Sequence, residues 1–384
     1  MPCTPTAGAG AAARDASGSE IHATTTMAMR LDASARRIGR MRGRPYHIAP
    51  FLRALPPNGN RRVPRRVSAA TLRAVRRILG ITALLVVALL VGLPLLGGAP
   101  DLSALPPRDR AVAIGNGIEL NVREVGSGTP VVLVHGLPSN IGDWSSVPEK
   151  LAALGHRVVV YDRAGYGWSS RPPVAADAYT LDSNARELGA LLDQLAIPRA
   201  ALVGWSYGGG IVQTFALEHP ERVSQLVLLG SVGPSIPDEP GDFIERLGAS
   251  PIGPAVFRYV ISVPPLGRGV LEGALADVFS GTRDIPPGFL DRSAAQMALP
   301  GTVDSWLAEE RNGGYAKLRP EAIEIPTLVL HGGDDRAVPA SVAEDLARRL
   351  PNGKLVFVEA GSHMLPVTHP DLVAARVHEW MTQP

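Results

Sequence analysis

From about residue 111 onward, short unbroken apolar runs alternate with segments whose apolar positions recur every three or four residues. The runs predict strands over 118–124, 131–135, 157–161, 200–204, 225–230, 326–331 and 354–359, with VVLVH, RVVVY and TLVLH as typical members. The longer period predicts helices near 145–154, 181–196, 207–218, 340–350 and 370–382. Strands apolar on both faces, separated by amphipathic helices, predict an α/β fold in which helices cover both sides of a parallel sheet. Residues 232–322 break the rhythm with Pro, Gly, scattered aromatics and short helical stretches, and read as an insertion.

Upstream the pattern changes twice. Residues 78–99 (ILGITALLVVALLVGLPLLGGA) carry no charge. As a helix they would extend ~33 Å, enough to cross a hydrocarbon core of ~30 Å. Residues 1–77 show no lasting periodicity and are rich in Ala, Gly, Pro, Ser and Arg, the composition of a disordered arm. Residues 100–110 (PDLSALPPRDR) read as a polar, Pro-rich linker into a domain spanning 111–384.

Charge sharpens this division. The formal net charge is +2, yet residues 1–77 hold 15 Arg against three acids, so the remainder is net acidic. A basic flank before an apolar run predicts a cytoplasmic N-terminus and a single-pass cell-membrane helix, with the folded domain on the exocytoplasmic side. A cleaved signal would need a shorter apolar core than this run offers. The acidic body gives no reason to expect nucleic acid as a partner. The sole cysteine, Cys3, excludes an internal disulfide and a thiolate metal site. No metal-ligand spacing, phosphate loop or internal repeat is present in the sequence, and no cofactor is expected.

The candidate chemistry sits at strand ends. Gly204-Trp205-Ser206-Tyr207-Gly208 follows the apolar run AALV and opens a helical pattern. A sharp strand-to-helix turn lifts a Ser side chain above the sheet, and glycines two before and two after relieve the crowding. A Ser hydroxyl needs a base, and the base an orienting acid. Asp335 follows the run TLVL and His363 follows KLVFV, both where α/β sheets place their ligand sites. The loop His135-Gly136-Leu137-Pro138 follows VVLV, so the backbone N–H groups of Leu137 and Tyr207 are the expected oxyanion donors. His135 is expected to hydrogen-bond backbone around that loop, Asp143 to start a helix, and Tyr207 to flank the nucleophile.

The segments HGLP, DRAGYGWS, GWSYGGG, HPERV, HGGDDRAVP and GSHMLP occur in that order and together resemble the α/β-hydrolase superfamily. The similarity is greatest to its esterase, cofactor-free haloperoxidase and carbon–carbon-bond hydrolase branches. It covers about residues 111–384 and implies an eight-stranded, mostly parallel sheet, a triad of Ser206, Asp335 and His363, and a lid over 232–322. In that family the acid usually stands four residues before the Pro of a Val-Pro pair, which selects Asp335 over Asp334. A Ser at 206 departs from the epoxide hydrolase and haloalkane dehalogenase pattern, whose nucleophile is Asp. The expected activity is hydrolysis of an ester or related acyl bond in a small, apolar substrate. The same residues would serve carbon–carbon-bond hydrolysis, and a lidded pocket without turnover would make a small-ligand sensor.

Overall fold

In the computed structural model, which describes residues 69–96, 101–175, 177–236, 250, 252–281 and 284–383, the apolar runs become strands of one sheet. They are β1 (Arg110–Gly115), β2 (Ile118–Val125), β3 (Thr129–Val134), β4 (His156–Tyr161), β5 (Ala200–Trp205), β6 (Val223–Leu229), β7 (Thr327–Gly332) and β8 (Gly353–Val358). Their spatial order is β1-β2-β4-β3-β5-β6-β7-β8. β1 and β2 pair antiparallel, as do β2 and β4, and all other neighbours are parallel.

The helices are α1 (Ala69–Leu96), α2 (Val147–Ala153), α3 (Leu181–Gln194), α4 (Tyr207–Glu218), α5 (Gly253–Ser262), α6 (Pro264–Val278), α7 (Phe289–Ala298), α8 (Thr302–Asn312), α9 (Ala340–Arg349), α10 (Leu365–Thr368) and α11 (Pro370–Thr382). Successive strand side chains point to opposite faces of a sheet. Val132 and Val134 of β3 therefore join Leu188 of α3, Phe215 of α4 and Leu346 of α9 in one core. Val131 and Leu133 join Leu151 of α2 and Val377 of α11 in the other. Burial on both faces is why these strands read as unbroken apolar runs. The insertion expected over 232–322 lies between β6 and β7 and carries α5 to α8. Phe243, one of its aromatic residues, lies outside the described residues.

Three expectations change. β1 was not legible as a strand, because its residues RAVAIG form a largely exposed edge with no apolar run. Its signal was the turn Asn116-Gly117, whose φ angles of 53° and 73° suit a two-residue hairpin.

The linker expected over 100–110 is not a free tether. Residues 102–104 form a short 3₁₀ turn capped by the Asp101 side chain. Leu105 is buried with Ala295 and Leu299 of the insertion, and Leu102, Ala104 and Trp168 pack beside it. The Trp168 indole donates to the Pro106 carbonyl at 2.8 Å. Apolar side chains among the prolines give this segment something to bury.

The third change concerns the N-terminal region. Among the described residues no helix is long and apolar enough to cross a membrane. Of the expected span over 78–99, residues 78–96 belong to α1 and residues 97–99 lie outside the described residues. The expected basic arm lies, up to residue 68, outside the described residues.

A docked Leu105 has a measurable consequence. Leu105→Ala should lower the unfolding free energy by about 2 kcal/mol, the low end for a buried leucine. Chemical denaturation of the two proteins gives the comparison, and an unchanged midpoint would mean the segment is loose.

Candidate active site

The turn between β5 and α4 places Ser206 at φ 56° and ψ −122°, a conformation costly for a residue with a side chain. The turn is held by hydrogen bonds on both sides. Ser206 N–H donates to the Leu229 carbonyl at 2.9 Å, and the Ser206 carbonyl accepts from Gly209 at 2.9 Å and Val232 at 3.2 Å. The flanking glycines are required by close approach. A Cβ on Gly204 would lie 2.4 Å from the Gly208 carbonyl oxygen, and one on Gly208 would lie 2.2 Å from that of Val134.

The loop after β7 carries Asp335 and the loop after β8 carries His363. Asp335 Oδ2 lies 2.8 Å from His363 Nδ1. Its Oδ1 accepts the N–H groups of Ala337 and Val338 at 2.9 and 2.8 Å. Burial pushes the Asp335 carboxyl upward, but His363 and these bonds outweigh it and hold it below its ordinary value. Neighbouring Asp334 is exposed and makes no side-chain contact to the histidine among the described residues. An ionised carboxylate only accepts, so His363 carries its proton on Nδ1 and leaves Nε2 free. The His363 carbonyl accepts from the Trp205 indole at 3.0 Å, which ties the histidine loop to the residue before Ser206. Gly230, at φ 48°, backs this pair; a Cβ there would lie 3.2 Å from Asp335 Oδ2 and 3.3 Å from His363 Nδ1.

Ser206, His363 and Leu137 line one cavity of about 130 Å³. Leu271, Leu275 and Val278 of α6 and Phe289 and Met297 of α7 make its other wall mostly apolar. Its polar lining is Ser139, Asn140, Asp143, Ser293 and Gln296. No lining residue among those described is a lysine or arginine.

Of the five residues singled out from sequence, Ser206, Leu137 and His363 share the cavity, Asp335 reaches it through His363, and Tyr207 follows Ser206 at the start of α4 without its side chain lining the cavity. Its ring turns away from the cavity into the core beneath, edge-on to Tyr315 at 6.1 Å. Asp143 departs from expectation. Rather than capping a helix it sits at the cavity wall, accepting from the Ser139 hydroxyl at 2.7 Å and from Arg292 at 3.0 Å. Asp143 lies within the 3₁₀ turn Ile141–Trp144, whose cap is Asn140, accepting Gly142 N–H at 2.8 Å. His135 does bond backbone: Nδ1 donates to the Gly136 carbonyl, and Nε2 accepts Arg163 N–H, both at 2.9 Å. Sequence reasoning missed Gly230, Gln296 and the α6 wall. Gly230 was signalled only by closing an apolar strand, and the α6 positions by nothing beyond helical spacing.

Comparison with known proteins agrees with this fold. Residues 129–370 match the family model described as the alpha/beta hydrolase fold. The chain is 32% identical over 278 residues to a 2-hydroxymuconate semialdehyde hydrolase of Pseudomonas sp., covering 70% of this chain and 93% of that one. A bromoperoxidase from Bacillus anthracis superposes with a TM-score of 0.59 at 26% identity, covering 72% of this chain and 100% of its own. Est816, an N-acyl homoserine lactone degrading enzyme, gives 0.56 at 26%, covering 70% and 99%.

The two adjacent aspartates provide a direct contrast. Asp335→Asn should lower kcat by up to ~10⁴, as loss of a histidine-orienting acid does, whereas Asp334→Asn should stay near wild type. Steady-state hydrolysis by the two variants decides, and equal losses would remove Asp335 from its place.

Proposed function

Because this chain belongs to the α/β-hydrolase fold family, we propose that it hydrolyses an ester or related acyl bond through Ser206, His363 and Asp335. The observation that carries this reading is the Asp335–His363 bond of 2.8 Å at the wall of the cavity that Ser206 also lines. Ser206 Oγ attacks the carbonyl carbon while His363 Nε2 takes its proton. Asp335 keeps the ring in the right tautomer and stabilises the imidazolium. The N–H groups of Leu137 and Tyr207 receive the oxyanion, and the latter opens α4, whose N-terminus favours negative charge. His363 returns the proton to the leaving group, and water activated by the same ring releases the acyl group. A mostly apolar wall suits a small, uncharged acyl portion. A lactone is a cyclic ester, so the similarity to Est816 supports the bond type.

Carbon–carbon-bond hydrolysis is the second reading, favoured by the similarity to the semialdehyde hydrolase. A fluorophosphonate probe should label wild type and spare Ser206→Ala. A panel of p-nitrophenyl esters, lactones and diketones then separates the two bond types. Labelling of the Ala variant at another serine, or turnover of diketones alone, would overturn the ester reading.

We also propose that the apolar run of residues 78–99, part of which lies outside the described residues, anchors the protein in the cell membrane with the hydrolase domain outside. The reading is supported by Arg73, Arg76 and Arg77 preceding the uncharged run, and by the exposure of Ile78, Leu79, Ile81, Leu84 and Leu85. Resistance to carbonate extraction, with loss of the domain to protease added to spheroplasts, is the expected outcome. Recovery in the soluble fraction would refute it.

A further inference from the structure

Glu309 projects from α8 of the insertion and is wholly buried. Its carboxylate grips the guanidinium of Arg163, itself 1% exposed, with Nη1–Oε1 at 2.5 Å and Nη2–Oε2 at 3.0 Å. Tyr166 donates its hydroxyl to Oε2 at 2.7 Å, and Asn184 Nδ2 donates to Oε1 at 3.1 Å. Asn184 Oδ1 in turn accepts from Arg163 Nη1 at 3.0 Å. A fork-to-fork pair fixes the plane of the guanidinium as well as its position. Burial pushes Arg163 downward, but Glu309 beside it more than reverses this, and the cation persists.

The fixed guanidinium makes one further hydrogen bond. Its Nη2 donates to the Gly136 carbonyl at 2.9 Å. That oxygen also receives His135 Nδ1–H at 2.9 Å, and His135 cannot turn over because its Nε2 accepts Arg163 N–H at 2.9 Å. Two donors, one of them cationic, therefore hold the Gly136 carbonyl. The Gly136 carbonyl and the Leu137 N–H belong to the same planar peptide unit, which is trans here, so they point in opposite directions. Fixing the carbonyl aims the N–H. This peptide lies against the nucleophile, since a Cβ on Gly136 would be 2.9 Å from Ser206 Cβ. Donation to the carbonyl also polarises the peptide and strengthens its N–H as a donor.

We propose that Glu309 and Arg163 are positioning residues through which the insertion aims the Leu137 N–H at the oxyanion. This rests on the reading of Ser206 as nucleophile given above. An ion pair this buried is poor evidence for a stability role, because apolar residues of similar volume often replace such pairs without loss. Here its geometry ends on the peptide that faces the reacting carbonyl.

The test uses the full-length protein, with active sites counted by fluorophosphonate titration. Wild type is compared with the double variant Arg163→Met/Glu309→Met and with Tyr166→Phe, which only loosens Glu309. In the double variant kcat per titrated site should fall about 10²-fold with KM nearly unchanged, the scale expected for a misaimed oxyanion donor. A trifluoromethyl ketone, whose adduct on Ser206 carries an oxyanion, should lose affinity by the same factor. Tyr166→Phe should lose about threefold in kcat through the weakened network. A purely structural role would instead reduce the number of titratable sites and leave kcat per site unchanged, and that result overturns the proposal. If the double variant does not fold, Tyr166→Phe decides alone: wild-type kcat per site overturns the proposal, and a fall in kcat matched by ketone affinity supports it. An unlabelled, inactive wild type would bring down the nucleophile reading and this inference with it. An active wild type with unaltered variants would bring down this inference only.

Discussion

At Ser206 the backbone is held against its own preference, and the surrounding structure follows from the need to hold it there. A conformation at φ 56° and ψ −122° costs on the order of 1–3 kcal/mol and persists only where its surroundings over-determine it. Here β5 enters the turn from the middle of the sheet and α4 leaves it with an almost wholly buried first half. The Leu229 carbonyl at the end of β6 receives the serine's own N–H. Moving β6 along its neighbour would therefore release the turn, which ties the register of the central strands to the exposure of one hydroxyl group.

The central strands and the turn were the most legible parts of the sequence, for a single physical reason. Residues buried on both faces must be apolar at every position, so β3, β5 and β7 announce themselves, and so do the residues that follow them. Edge elements escape this logic. β1 alternates among small and exposed side chains, and only its Asn-Gly turn marked it. Leu102 and Leu105 were hidden among prolines, where composition suggests a linker although two leucines are enough to dock one. Asp143 looked like a helix cap because its type suits one; a contact with Arg292 in the insertion decided otherwise. The Arg163–Glu309 pair joins residues far apart in the chain, and no local pattern could have signalled it.

The insertion contributes in two distinct ways. Through α6 and α7 it supplies apolar side chains that close the cavity over Ser206. Through α8 it sends a carboxylate to Arg163, whose guanidinium holds the Gly136 carbonyl. The first contribution tolerates drift in sequence, because any apolar residue of suitable volume fills a wall. The second does not, because a bidentate pair depends on both chemistry and angle. Under the positioning role proposed for Glu309, pocket shape and catalytic geometry are carried by different helices of one segment.

β8 lies at the margin of the sheet and pairs only with β7. Asp335 precedes it in the chain and His363 follows it, so the 2.8 Å bond between them spans the strand's attachment. Marginal strands are the first to fray, since one side of their ladder is open. In a hydrolase that works through this pair, fraying parts acid from base while the rest of the sheet remains intact. Catalytic competence would then gauge the integrity of one seam of the molecule, and silence would set in well before the whole chain came apart.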